Sequence, residues 1–159
     1  MTDERGRDGD GASERRVQLG RLGDYVGFRM RRVQNQLSAD FMAATAHFGL
    51  RSGLFSSLAL IDANPGMSQQ ELSSAVGLDK SITVQIVDEL ERRGWAQRER
   101  SKVDRRRHAL TALPAGKDFL DQLFKIMETV EAEVLAQLSP DERLIFDGAL
   151  DRMYDVFHR

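Results

Sequence analysis

The stretch from Ser68 to Leu113 most constrains the fold, because a helix–turn–helix runs directly into an arginine-rich hairpin. Ser68 is followed three residues later by Glu71, the spacing of a capping box in which each side chain satisfies a backbone N–H of the helix start. Leu72, Ala75 and Val76 form an apolar face at helical spacing, and Gly77 ends the helix as a residue tolerant of positive φ. After Leu78-Asp79 a second helix is predicted from Lys80 to Arg93, with Ile82, Ile86, Val87 and Leu90 inward. Its leading outward face is then Lys80, Ser81, Thr83 and Gln85, small or amide side chains that can approach base edges. Gly94 breaks the helix, Trp95 to Arg98 reads as a strand, and Arg100 to Arg107 forms the basic tip of a hairpin. A short helix, a tight turn and a second helix with a polar leading end is the pattern of a major-groove reader. The chain is predicted to bind double-stranded DNA.

The formal net charge of −2 hides a sorting along the chain. Between Arg92 and Arg107 stand eight Lys/Arg against Glu99 and Asp104, whereas Lys117 to Arg159 holds five basic and ten acidic residues. A locally basic hairpin neutralises phosphates whatever the total charge, since screening makes the interaction short-ranged. The acidic end is repelled by DNA and is expected to face something else. No cysteine is present, which excludes a thiol redox sensor and a cysteine-ligated zinc site and suits a reducing cytoplasm. No apolar run approaches the roughly 20 residues of a membrane span, so no membrane partner is expected. Residues 1–16 are polar and rich in glycine and charge, and read as a disordered tail without the apolar core of a signal peptide. His47, His108 and His158 are far apart, and no phosphate loop, nucleophile motif or paired-carboxylate setting occurs. Neither enzyme nor cofactor is expected.

Leu22, Val26, Met30, Val33, Leu37 and Phe41 recur at spacings of three and four, predicting one long amphipathic helix from Val17 to His47. A shorter helix over Ser52 to Asp62 is closed by Asn64-Pro65-Gly66. Beyond the hairpin, Leu120, Leu123, Met127, Val130, Val134 and Leu138 predict a helix of about six turns. Ser139-Pro140-Asp141-Glu142 then opens a last helix with a second capping box. The expected fold is mainly α with a small β-hairpin wing: a winged helix-turn-helix plus a helical dimerisation region. Its expected divisions are a tail at 1–16, a dimerisation helix at 17–50, the DNA-binding domain at 51–113 and C-terminal dimerisation helices at 114–159. The long helices carry more apolar surface than a small winged helix covers, which two subunits solve by packing them together. A homodimer also sets two recognition helices about 34 Å apart, one DNA turn, as a pseudo-palindrome requires.

The pattern resembles the MarR family of winged-helix regulators from about Leu19 onward. The residues that carry it are H-F-G-L (47–50), S-Q-Q-E-L-S-S-A-V-G-L-D (68–79), V-D-E-L-E-R-R-G-W (87–95), D-R-R (104–106), Pro114-Ala115-Gly116 and L-S-P-D-E-R (138–143). The resemblance implies a homodimeric, six-helix protein that represses or activates nearby genes. It also implies a small-molecule effector, often an aromatic acid or phenolic compound, that weakens DNA binding. The chain departs from the family at Ala112-Leu113, where a leucine–threonine pair is common, so Pro114 must set the next helix start without a threonine cap. It departs again at Arg51, where threonine is common, leaving Ser52 as the candidate cap.

Ser81, Thr83 and Gln85 are the expected base readers, with Lys80 beside them; Gln85 matches adenine N6 and N7. They are also ordinary polar positions for an exposed helix. Ser68 and Gln69 either bind a phosphate at their helix start or serve only as the cap. The resemblance makes Asp104 the residue that holds one wing arginine while Arg105 or Arg106 reaches the minor groove; Arg107 continues the strand or joins them. Arg29, between Val26 and Val33 on the expected buried flank of the first helix, pairs with a ligand carboxylate or with a protein carboxylate. Met30, Phe55 and Leu58 are candidate apolar walls of the same ligand site, or core. The working expectation is a ligand-released repressor acting as a cytoplasmic homodimer. The alternatives are a winged-helix protein-interaction module and a DNA-binding regulator without a small-molecule ligand.

Overall fold

The structure is a computed structural model that describes residues 17–100 and 108–156. It divides into two compact units, Met1–Gln34 and Asn35–Arg159. The described part of the first unit is a 3-10 turn at Gly20–Asp24 followed by the start of α1, which spans Val26–Ala44. The single helix expected from Val17 to His47 is therefore shorter at both ends. Tyr25 is extended (φ −88°, ψ 120°) and interrupts it at the start. At the other end Thr45 turns out of helical geometry (φ −99°, ψ 7°), its hydroxyl donating to the Phe41 carbonyl at 2.7 Å. Apolar spacing carries Leu22 across the first break and ends at Phe41 before the second, so periodicity marks neither end of the helix.

The second unit holds the winged helix. α2 (Leu54–Ala63) presents Leu54, Ser57, Leu58 and Ile61 to the core. Its cap is Gly53, with φ 82°, and not the expected Ser52. The positive φ is what requires glycine at 53; a Cβ there would also push aside the end of the Leu78 side chain, 2.8 Å away. α3 (Gln69–Val76) forms with the predicted capping box, and Gly77 closes it at φ 71°. The Ser73 hydroxyl donates to the Leu78 carbonyl at 2.7 Å and holds the turn into α4 (Lys80–Arg92). On α4 the buried face is Thr83, Ile86, Val87 and Leu90. Ile82, expected inward, is 41% exposed, and Thr83, expected outward, is 1% exposed. The spacing i, i+3, i+4, i+7 begins at Thr83, whose hydroxyl is satisfied by the Asp79 carbonyl at 3.0 Å, leaving its methyl for the core.

Strand β1 (Met67–Ser68), β2 (Ala96–Arg100) and β3 (His108–Ala112) form an antiparallel sheet in the order β1-β3-β2. Leu110 of β3 faces Met67 on one side and Arg98 on the other. The hairpin was legible; β1 was not, because its two residues are also the lead-in to the α3 cap. α5 (Pro114–Leu135) begins without a side-chain cap at Leu113, as the missing threonine predicts. Pro114-Ala115-Gly116 is the first turn of this helix. α6 (Pro140–Asp155) starts with the expected capping box of Ser139 and Glu142. The core joins Leu54, Leu58, Ile61, Leu72, Ile86, Val87, Leu90, Leu110 and Leu123, each 1% exposed or less. Fully burying each such side chain is worth about 2 kcal/mol.

Gly116 is where α5 meets the wing root. A Cβ there would lie 2.1 Å from the Trp95 carbonyl oxygen, and backbone cannot step aside as a flexible side chain can. Gly116→Ala is expected to cost about 3 kcal/mol of stability, read as a lower urea midpoint with an unchanged slope.

Candidate nucleic-acid interface

The outward face of α4 carries Lys80, Ser81 and Gln85, all exposed, with Ile82 and Val84 beside them. Thr83 is removed from the expected reading set by its burial. Gln85 is engaged: its Oε1 accepts from Arg51 Nη2 at 3.0 Å, a contact between residues 34 apart in sequence. Ser68 is half-buried and its hydroxyl is occupied, donating to Glu71 Oε2 at 2.8 Å and accepting from the Glu71 backbone N–H at 3.2 Å. Gln69, the first residue of α3, is half-buried. Asp104, Arg105, Arg106 and Arg107 lie outside the described residues.

The root of the wing is pinned to α4 by Arg98. Its Nη1 donates to Glu91 Oε2 at 3.0 Å and its Nη2 to Asp88 Oδ1 at 2.6 Å, while its backbone N–H donates to Glu91 Oε1 at 2.7 Å. Glu89 meets Arg92 at 2.8 Å and Arg93 at 2.6 Å. Three of the eight basic residues counted between 92 and 107 are thus matched by carboxylates on α4, just upstream of that window. The remaining excess belongs to Arg100, Lys102, Arg105, Arg106 and Arg107 against Glu99 and Asp104. Asp88 is part of the wing's attachment, although it is 57% exposed. Its signal was present: Asp88 and Glu91 are three apart on one helix face, and a basic residue follows on the adjoining strand.

Arg93 also donates to the carbonyls of Phe48 at 3.0 Å and Gly49 at 2.8 Å, and its guanidinium lies 4.8 Å from the centre of the Trp95 ring. The end of the recognition helix is thereby fastened to the segment that leads into α2.

The expected ligand residues are placed differently. Arg29 and Met30 are exposed on α1, so Arg29 is not on a buried flank of this chain. Leu58 is fully buried in the core and cannot line an accessible site, because α2 turns its 54-57-58-61 face inward. Phe55 is half-buried, its ring 5.0 Å from Phe41 and 5.2 Å from Phe124. An open cavity of about 570 Å³ lies elsewhere, where Leu60 and Asn64 at the end of α2 face Met67, Glu71 and Ala75.

A helix–turn–helix with a β-ribbon wing, its second helix presenting polar side chains to solvent, defines a winged-helix DNA-binding protein. The sequence profile of the MarR family matches residues 50–108. A protein of Thauera aromatica described as a transcriptional regulatory protein for the hcr operon is 34% identical over 136 residues, 85% of this chain and 82% of that protein. Among solved structures, the transcriptional repressor CouR bound to a 23-mer DNA duplex shares 33% identity with a TM-score of 0.73, covering 90% of this chain and 99% of that one. The PcaV transcriptional regulator from Streptomyces coelicolor, in complex with its natural ligand, shares 26% identity with a TM-score of 0.67, covering 87% and 96%. The chain belongs to the MarR family of DNA-binding transcriptional regulators.

The Glu89 carboxyl is held below the usual carboxylate range, first by the hydrogen bond from Arg92 and then by that from Arg93. A carboxyl whose folded pKa is depressed contributes stability that is complete above its unfolded value and is lost as pH falls through the folded one. Glu89→Gln is therefore expected to lower stability by about 1 kcal/mol at neutral pH. The gap to the parent protein should close on the acid limb, read from urea midpoints across pH.

Proposed function

We propose that this regulator is a repressor that binds a pseudo-palindromic operator as a homodimer and is released by a small aromatic acid-type ligand. The observation that carries the reading is the state of α6. None of its residues is buried, and Leu144 (75% exposed), Ile145 (69%) and Tyr154 (63%) lie open along it. A helix capped this well with an uncovered apolar face is explained by a second copy packing against it. Residues 17–50 and 114–159 then form the dimerisation region around the DNA-binding domain at 51–113, and the protein acts in the cytoplasm.

Lys80, Ser81 and Gln85 are the proposed major-groove contacts, with Arg105 or Arg106 in the minor groove beside Asp104. Arg107, Ser68 and Gln69 are the proposed phosphate contacts. Support for a ligand comes from PcaV, whose solved complex contains its natural ligand. Arg29 is the candidate partner of the ligand carboxylate and Met30 a candidate apolar contact, and Phe55 is a separate apolar candidate. Release is a population shift: the ligand favours a spacing of the two recognition helices that no longer fits two half-sites, and it must bind the two spacings unequally.

Selection from a random duplex library at physiological salt tests the reading, with an inverted repeat of half-sites about one turn apart as the expected product. Enrichment of single half-sites without symmetry would overturn the dimeric reader. Leu144→Asp with Ile145→Asp is expected to give monomers in sedimentation and to lose binding to the full repeat. Arg105→Ala with Arg106→Ala should flatten log affinity against log salt by about one for each phosphate-linked arginine removed.

A further inference from the structure

We infer that Arg51 and Gln85 act as one composite reading unit, which presents chiefly hydrogen-bond donors and selects guanine at one position of each half-site. The inference deepens the proposed operator binding and rests on it. Arg51 lies before α2, outside the helix–turn–helix, yet its Nη2 reaches Gln85 Oε1 at 3.0 Å. Both side chains are exposed, and Gln85 stands one helical turn after Ser81 on the outward face of α4.

Two consequences follow from the chemistry of the pair. Arg92, Arg93 and Arg98 each meet a carboxylate, whereas the partner of Arg51 among the described residues is a neutral amide. Its charge is positioned without being neutralised, and most of its guanidinium N–H groups remain available. The same bond turns the Gln85 carboxamide so that Oε1 faces Arg51 and the Nε2 hydrogens face away. A glutamine that pairs with adenine uses the oxygen for N6 and the nitrogen for N7, and here Arg51 already takes one lone pair of the oxygen and fixes the carboxamide's orientation. Donors alone suit the O6 and N7 acceptors of guanine, or the oxygens of a phosphate. Attachment to the outward face of the recognition helix favours the base edge over the backbone. The adenine pairing expected from Gln85 alone is thereby replaced.

The test is library selection with the full-length protein, Arg51→Ala, Arg51→Lys, Gln85→Ala and the double alanine variant, followed by affinities on the selected site. The parent protein should enrich a half-site with one guanine whose preference disappears in Arg51→Ala. Affinity for that site should fall about tenfold or more, with far smaller losses on sites carrying another base there. Arg51→Lys should keep affinity better than Arg51→Ala without restoring the preference, since an ammonium lacks the planar fork. Gln85→Ala should relax the same position, and the double variant should cost much less than the two single losses combined. An unchanged motif in Arg51→Ala, with every sequence weakened equally and a shallower salt dependence, would make Arg51 a phosphate contact and overturn the inference alone. Additive losses would also overturn it. Failure of the parent protein to enrich any sequence would instead remove the operator reading, and this inference with it.

Discussion

Trp95 stands where the recognition helix, the wing and α5 meet, and its backbone sets their arrangement. Its N–H donates to the Leu90 carbonyl at 2.9 Å and its carbonyl accepts from Leu113 N–H at 2.8 Å. The carbonyl is also what the bare Cα of Gly116 packs against. Around this joint the indole stacks on Phe119 at 4.1 Å, and Phe48 meets Phe119 edge-on at 5.0 Å. Arg93 closes it by holding the Phe48 and Gly49 carbonyls. Close-packed contacts of this kind resist small deformations, so α4 and the start of α5 behave as one piece.

Arginine does two jobs in this chain, and the partner decides which. Arg92, Arg93 and Arg98 are spent on carboxylates of α4; they fasten elements together and add little to the field outside. Arg51 is held by an amide and keeps its charge available. The distinction matters for reading basic segments, since a count along the chain treats the two kinds alike. The wing root is basic in sequence but largely internally balanced in space.

Much of the fold was legible. The two capping boxes at Ser68 and Ser139, the left-handed Gly77 and the apolar periodicity of α5 each depend on residues within a turn or two, and each forms as read. The site was less legible. On α4 the choice between Ile82 and Thr83 for the core changes one member of the reading face, and composition alone favours the wrong one. Threonine enters the core because its own helix satisfies its hydroxyl, a compensation that polarity scales do not register. Leu58 likewise passed for a pocket wall because an apolar residue at helical spacing looks the same whether it faces a ligand or the core.

The sequence by itself determined which helices form, where the capped helices α3 and α6 start, and that a polar recognition helix precedes a basic hairpin. These properties are local: caps, turn glycines and periodicity act between neighbours along the chain. The tertiary structure decided which side chains are free to act. Arg51 meets Gln85 across 34 residues, and Arg93 meets Phe48 across 45. No spacing rule connects residues so far apart, because such pairs are created only when packing brings their elements together.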